Sequence, residues 1–272
     1  MFRFALLGAA AVAVGAKAAS AAVFASSVGF YEPGIGAGGF TNPSVALGSP
    51  APLTGDGLGF PNILSPFSPP FEADEIVGVG RGGVLQVNFD IPISDVPGPD
   101  FGVFTNVGLV DVNFPNGVNS NPASTFNPLP RAAKVSVSAD GNAFVSLGSV
   151  TFSQPTNYFV NASNPYLSAA PGDGVIADFG KPFTGGLSTF NGLDWTQTLA
   201  ALDGSGGGTW IDFSATNLGS IVAVRISIDA TPPTGIDGRV FVDAVAAHNA
   251  AVPEPIGALL LAPLALLRRH RR

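Results

Sequence analysis

The sequence predicts an all-β fold: an antiparallel, jelly-roll-like β-sandwich of about eight to eleven short strands with one short helix. Several segments alternate apolar and polar residues, which is the period of a half-buried strand. Asp140-Gly141 stands between two such segments and indicates a hairpin turn. The chain also contains 35 Gly and 24 Pro among 272 residues, too many interruptions for long helices.

The alternation is clearest in residues 84–91, where the residues expected on the buried face are Leu85, Val87, Phe89 and Ile91. Before this strand, residues 31–75 are rich in turn formers. The hairpin is predicted over 133–145 with a type I′ turn, and 194–202 is the one predicted helix, ended by Gly204. Further strands are expected at 101–105, 109–114, 150–153, 209–214, 221–229 and 239–247. Residues 154–191 read as irregular, with aromatic side chains that cover the core.

Composition excludes several classes of protein. Without cysteine there is no disulfide framework, thiolate zinc site or cysteine nucleophile, and two histidines cannot form a three-histidine metal centre. A net charge of −7 argues against nucleic acid as a partner. The glycine-rich run 204–208 lacks the lysine of a phosphate-binding loop and is expected to be a turn with positive φ angles.

The amino-terminal segment, residues 1–21, has the organisation of a cleaved export signal. Arg3 provides a basic start, residues 4–16 are apolar, and Ala19 and Ala21 fit the small-residue rule for cleavage before Ala22. The alternative is a permanent membrane anchor. A run of this length is too short to cross about 30 Å of hydrocarbon, so export is favoured.

The carboxy-terminal segment, residues 252–272, has three consecutive parts. Val252-Pro253-Glu254-Pro255 is followed by the apolar run 256–267 and then by a basic cluster that begins with Arg268 and Arg269. Such a cluster stays on the cytoplasmic side of the membrane. An apolar helix of this length reaches only about 18 Å, so transient retention in the inner membrane is expected.

These three parts resemble the PEP-CTERM sorting signal of Gram-negative bacteria. The resemblance implies recognition by a membrane exosortase, cleavage near residues 253–255, and release or transfer of the protein to the cell envelope. It also implies an association with exopolysaccharide. Pro263 departs from the pattern by interrupting the apolar run. The alternative is a proline-rich linker before a tail anchor.

The body, residues 22–251, is predicted to be one domain, and it resembles exported proteins with a galactose-binding-like, discoidin-type jelly roll. The motifs that carry this resemblance are, in order, residues 43–50, 77–83, 92–104, 135–144, 204–209, 225–226 and 241–245. The chain has Thr105 where the family often has a glutamate, so a carboxylate role at this position is not expected.

Catalytic constellations are scarce in the body. A serine nucleophile needs a nearby base, and the body offers only His248, Lys134 and Lys181, of which Lys134 is predicted on the outward face of a hairpin. A glycosidase needs two carboxylates roughly 5–10 Å apart, and with so many acidic residues such a pair alone means little. A polysaccharide-active hydrolase therefore stays the third choice, and no enzymatic activity is expected.

Calcium is the one cofactor the residues suggest. Asp95 and Asp100 flank a loop with two prolines, and Asp90 and Asp243 could approach it. The alternative is that Asp95 and Asp100 bond their own backbone in a turn. Aromatic rings could stack on sugars, or they could belong to the core; the candidates are Trp195, Trp210, Tyr158 and Tyr166.

The sequence thus predicts a non-enzymatic protein of the cell envelope, cell surface or extracellular matrix, with a calcium-dependent carbohydrate-binding module as the alternative. Residues 22–252 contain six basic and 18 acidic residues, a formal charge of −12. Such a body suits cation-bridged association with extracellular polysaccharide.

Overall fold

The computed structural model describes residues 22–252, and these form an antiparallel all-β sandwich with eleven strands and one α-helix. The predicted fold class, strand number and single helix are confirmed. The predicted signal segment and most of the sorting segment fall outside the described residues, and with them Ala19, Ala21, Pro253, Glu254, Pro255, Arg268 and Arg269. Ala22 and Val252 are the first and last residues described.

Two large sheets face each other. The five-stranded sheet has the order β1-β5-β10-β7-β8, and the four-stranded sheet has the order β4-β11-β6-β9; β2 and β3 form a separate pair. The chain passes directly from one large sheet to the other at β4–β5, β5–β6, β6–β7, β8–β9, β9–β10 and β10–β11, in the jelly-roll manner. The strands are β1 Ser27–Glu32, β2 Leu53–Thr54, β3 Asn62–Ile63, β4 Val77–Val79, β5 Val84–Ser94, β6 Phe101–Thr105, β7 Arg131–Ser138, β8 Val145–Phe152, β9 Thr209–Ile211, β10 Ser220–Ser227 and β11 Val240–Ala247.

The main core lies between these two sheets and is built by strand alternation. Leu85, Val87 and Phe89 of β5 enter it from one side, and Val242 and Val245 of β11 from the other. Because side chains alternate across a strand, β5 gives every second residue from Leu85 to Phe89 to this core. The alternation predicted from the sequence for residues 85–89 is therefore confirmed.

Ile91 does not follow the predicted alternation, since its side chain is exposed. The pairing of β5 with β10 slips between Asn88 and Ile93, where β5 carries extra residues that have no partners. Pro92 lies in this irregular stretch and has no N–H to donate to a ladder. The bulge turns Ile91 outward, while Ile93 returns to the core.

Three other local predictions are wrong. Residues 109–114 form isolated bridges rather than a strand, with Leu109 opposite Thr125. The hairpin connection spans residues 139–144, and only Gly141 has a positive φ, so the turn is not type I′. Asp140 holds this longer loop because its carboxylate accepts hydrogen bonds from the N–H groups of Asn142 and Ala143, each at 2.8 Å. Residues 150–153 are mostly the end of β8 rather than a separate strand.

A third layer covers the outer face of the four-stranded sheet. Ala244, Ala246 and Phe104 point away from the main core and pack against Phe179, with Trp210 alongside. The ring centroids of Phe104 and Phe179 are 5.3 Å apart. Residues 154–191 are irregular apart from a short 3-10 helix at Leu187–Phe190, and their aromatic side chains fill this layer as predicted.

Helix α1, Trp195–Leu202, belongs to the same layer. Its first turn is closed by a capping box in which Asp194 accepts from the Gln197 N–H and Gln197 accepts from the Asp194 N–H. It ends at Asp203, which adopts the left-handed conformation immediately before the predicted stop, Gly204. Within residues 22–252, no helix combines the length and the apolar character that crossing a bilayer requires.

Truncating Phe104 tests how firmly the third layer is packed. Its side chain is 0% exposed, so we expect Phe104→Ala to lower the free energy of unfolding by about 3–5 kcal/mol, as measured in urea. Phe60→Ala is the control, because Phe60 is 74% exposed and its loss should change stability by less than about 0.5 kcal/mol. Equal effects of the two substitutions would contradict a packed third layer.

Candidate functional site

The loop between β5 and β6 carries Asp95 and Asp100, the residues predicted as calcium ligands. Asp100 is fully buried, and both of its oxygens accept backbone hydrogen bonds: Oδ1 from the Val96 N–H and Oδ2 from the Phe213 N–H, each at 2.9 Å. The carboxylate therefore closes its own loop and ties that loop to the residues after β9.

Asp212 is a third carboxylate at this loop that the sequence did not reveal. The register of β6 and β9 places Phe101 opposite Ile211, so the adjoining Asp100 and Asp212 lie close together. One oxygen each of Asp95, Asp100 and Asp212 lies within 4.8 Å of the others. Burial raises the pKa of Asp100, and the charges of Asp212 and Asp95 raise it further, against the lowering effect of the two backbone hydrogen bonds.

The other two carboxylates expected here do not join this cluster. Asp90 is exposed on the irregular part of β5, and Asp243 lies on β11, where the charge of Glu75 acts on it. The turn interpretation of Asp100 accounts for its burial, because two N–H donors compensate the carboxylate. A calcium ion at Asp95 and Asp100 stays a prediction.

The three residues that the sequence offered as possible catalytic bases make structural contacts. Lys134 is exposed and forms an ion pair with Asp229 at 2.8 Å, and Lys181 pairs with Asp203 at 2.7 Å. The Nδ1 atom of His248 lies 2.9 Å from the Pro99 carbonyl oxygen. Within residues 22–252, none of these three side chains hydrogen-bonds to a serine hydroxyl.

The aromatic residues considered for sugar stacking pack inside the molecule. The Trp195 indole donates to the Ala162 carbonyl at 2.7 Å, and the Trp210 indole donates to the Gly207 carbonyl at 2.8 Å. Tyr166 donates to Asp111 at 3.1 Å, and the ring of Tyr158 lies 5.4 Å from that of Phe179. Their polar atoms therefore fix loops of the third layer, and the structure does not align them into a sugar-binding platform.

A groove that the sequence did not reveal lies beside the end of β6. It encloses about 310 Å³ between residues 106–108, 124–131 and 151–153, with Leu187 at one side, and we call it the Asn106 groove. Phe126, whose side chain is 57% exposed, and Leu129 provide its apolar walls. A concave apolar surface with a few polar groups is the usual form of a small-molecule site.

The polar groups of the Asn106 groove converge on Arg131. The guanidinium donates to the backbone carbonyl of Asn106 at 3.0 Å and also to its side-chain oxygen, while Nε lies 3.7 Å from Asp237 Oδ2. Burial lowers the pKa of Arg131, although Asp237 opposes that effect. Asn127 donates to the same Asp237 oxygen at 2.6 Å. Amide and guanidinium groups beside an exposed ring are suited to a ligand rich in hydroxyl groups.

Sequence reasoning missed this groove because its residues converge only in the folded chain. The segment 109–114 was expected to be a strand, whereas it belongs to the long connection that carries Phe126 and Asn127 to Arg131. The one signal was the motif at 103–106, where Thr105 replaces the usual glutamate of the resembled family. Thr105 is buried, and its neighbour Asn106 reaches the groove.

Comparison with known proteins adds no relative to this description. No protein-family model matches the chain, and no curated protein matches it. The similarity to sorted export proteins and to discoidin-type jelly rolls therefore stays an expectation from the sequence motifs.

Replacing Asp100 tests whether its carboxylate organises the β5–β6 loop. We expect Asp100→Ala to lower the free energy of unfolding by about 2–4 kcal/mol, because the buried N–H of Phe213 and the partly buried N–H of Val96 lose their acceptors. Asp95→Ala, at an exposed position of the same loop, should change it by less than about 0.5 kcal/mol. Urea unfolding measures both, and a larger loss for Asp95→Ala would show that the assignment is wrong.

Proposed function

We propose that the chain is an exported protein, sorted to the cell envelope or extracellular matrix through its carboxy-terminal segment, and that it acts there by binding rather than by catalysis. The observation that carries the proposal is the succession of Val252-Pro253-Glu254-Pro255, an apolar run and a basic cluster. An exosortase is the processing partner that this signal implies. The inner membrane would hold the precursor until it is processed.

The two ends of the described body support this proposal. The Ala247 N–H donates to the Val23 carbonyl at 2.8 Å, and the Ala25 N–H donates to the Val245 carbonyl at 2.9 Å. Ala251 is buried, and Val252 packs partly against the main core. Both ends of the described body are therefore held by contacts within residues 22–252.

The charge of the body supports a role outside the cytoplasmic membrane next to polysaccharide. Residues 22–252 have a formal charge of −12, and acidic side chains are spread over loops of both sheets. Divalent cations bridge such a surface to anionic polymers, which gives association without a dedicated site.

Truncation after Val252 tests the sorting proposal. In an exosortase-containing bacterium, we expect residues 1–252 to lose attachment or processing at the cell envelope, as followed by fractionation and immunoblotting. Because Ala251 and Val252 already pack in the main core, we expect the melting temperature of this truncated chain to stay within about 2 °C of that of the full chain. Unchanged localisation of a folded truncated chain would contradict the proposal.

A calcium-dependent carbohydrate-binding module is the second candidate, and the Asn106 groove favours it. Sugar rings present an apolar face and a rim of hydroxyl groups, which match the exposed ring of Phe126 and the amide groups of Asn106 and Asn127 among the lining residues. This function fits an exported protein equally well, because its ligand would be extracellular.

A glycan array, read with and without EDTA, tests this second candidate. We expect Phe126→Ala to weaken binding to any retained glycan about fivefold, because an exposed ring contributes about 1 kcal/mol of stacking. Phe60→Ala removes another exposed ring, one that does not line the groove, and should leave binding unchanged. Absence of binding in both conditions would eliminate this candidate and leave the sorting proposal standing.

A further inference from the structure

Asp243 is an acidic residue in the middle of a buried strand. In the pairing of β11 with β6, Val242 lies opposite Thr105 and Ala244 opposite Phe104, so Asp243 is an extra residue in a β-bulge. Val242 faces the main core and Ala244 faces the third layer. The Asp243 side chain is only 1% exposed, and its Oδ2 atom has no hydrogen-bond partner in the described part of the chain.

Glu75, just before β4, is the nearest acidic neighbour along the adjacent strand. Its Oε2 atom accepts three hydrogen bonds, from the Thr54 hydroxyl at 2.7 Å, the Phe71 N–H at 2.9 Å and the Glu72 N–H at 3.1 Å. Its Oε1 atom is also buried, since the side chain is only 5% exposed, and this atom accepts no hydrogen bond from residues 22–252. A buried carboxylate oxygen without a donor is costly unless another group compensates it.

Two more carboxylates extend this cluster to the surface. One oxygen each of Asp56, Glu72 and Glu75 lies within 4.8 Å of the others, and Asp56 is exposed. The cluster therefore extends from the exposed Asp56 through the half-buried Glu72 to the buried Glu75. The pairing of Val242 with Val77 brings Asp243 beside the residues that precede β4, among them Glu75. Burial raises the pKa of Asp243 well above its ordinary value, and the charge of Glu75 raises it further.

The described chain supplies no cation to this cluster. In residues 22–252, the basic side chains that form ion pairs are Arg131, Lys134, Lys181 and Arg239. Their partners are Asp229, Asp203 and Asp237, none of which belongs to this cluster. In the Asp95–Asp100–Asp212 cluster the buried carboxylate has a donor on each oxygen, whereas here two buried oxygens have none. Only the cluster around Glu75 thus has buried carboxylate oxygens without a hydrogen-bond donor, and such oxygens point to a bound ligand.

We propose that Asp56, Glu72 and Glu75 bind a calcium ion, backed by the buried carboxylate of Asp243. Calcium–oxygen distances of about 2.3–2.6 Å place opposite ligands about 4.6–5.2 Å apart, and three oxygens within 4.8 Å of one another fit on one such sphere. The ligand set is oxygen only, which favours a hard cation over zinc or copper. The ion would fasten the turn-rich segment 54–75 to the bulge of β11.

Calcium titration of the purified full-length protein tests this site. After EDTA treatment and dialysis, we expect CaCl2 to bind in isothermal titration calorimetry and to raise the melting temperature by about 5 °C or more at a hundredfold excess over Kd. Glu75→Gln should abolish that rise, because it removes the central ligand charge. Asp56→Asn, at the exposed mouth, should fold in any case and weaken calcium binding about tenfold.

Asp212→Asn is the matched control, because it removes one charge from the other acidic cluster and should leave the calcium-dependent rise intact. The proposal is overturned if calcium neither binds nor shifts the melting temperature of the wild-type protein. It is also overturned if Asp56→Asn binds calcium as tightly as the wild type does, or if the rise is lost in Asp212→Asn.

Discussion

A strand buried on both faces has to satisfy its whole backbone by pairing, and β11 is such a strand. All eight residues of Val240–Ala247 are buried. Its N–H and carbonyl groups bond to β4, to β6 and to residues 23–25, so the strand has partners on both sides. The main core, the third layer and both ends of the described body meet at this strand. The arrangement of the rest of the molecule therefore depends on keeping β11 buried and its backbone fully hydrogen-bonded.

The bulge at Asp243 is the one place in the described part of β11 where the regular pairing with β6 is interrupted. An extra residue in the strand lets Val242 and Ala244 face different layers while a carboxylate remains between them. A charged group at this depth adds nothing to hydrophobic burial and opposes folding when it is uncompensated. Its place in the central strand is therefore best understood together with Glu75 and the acidic loop in front of it.

How far the sequence predicts this molecule depends on the range of the interaction concerned. The alternation of Leu85, Val87 and Phe89 and the helix predicted over 194–202 depend on local sequence, and the structure confirms both. Ile91 turns outward because of a slip in pairing with β10, which no local pattern records. The approach of Asp212 to Asp100 depends on the pairing of β6 with β9, and that of Asp243 to Glu75 on the pairing of β11 with β4. Carboxylates far apart in the chain become neighbours only through such registers, so the acidic clusters could not be read in advance.

The meeting of both chain ends at β11 has a mechanical consequence. A pull on whatever follows Val252 reaches the sandwich through its central strand, with the load directed along the strand. Hydrogen bonds to β4 and β6 then share the force at the same time, whereas an edge strand such as β8 would peel away one bond after another. A tether attached after Val252 thus holds the domain by the strand that is hardest to extract.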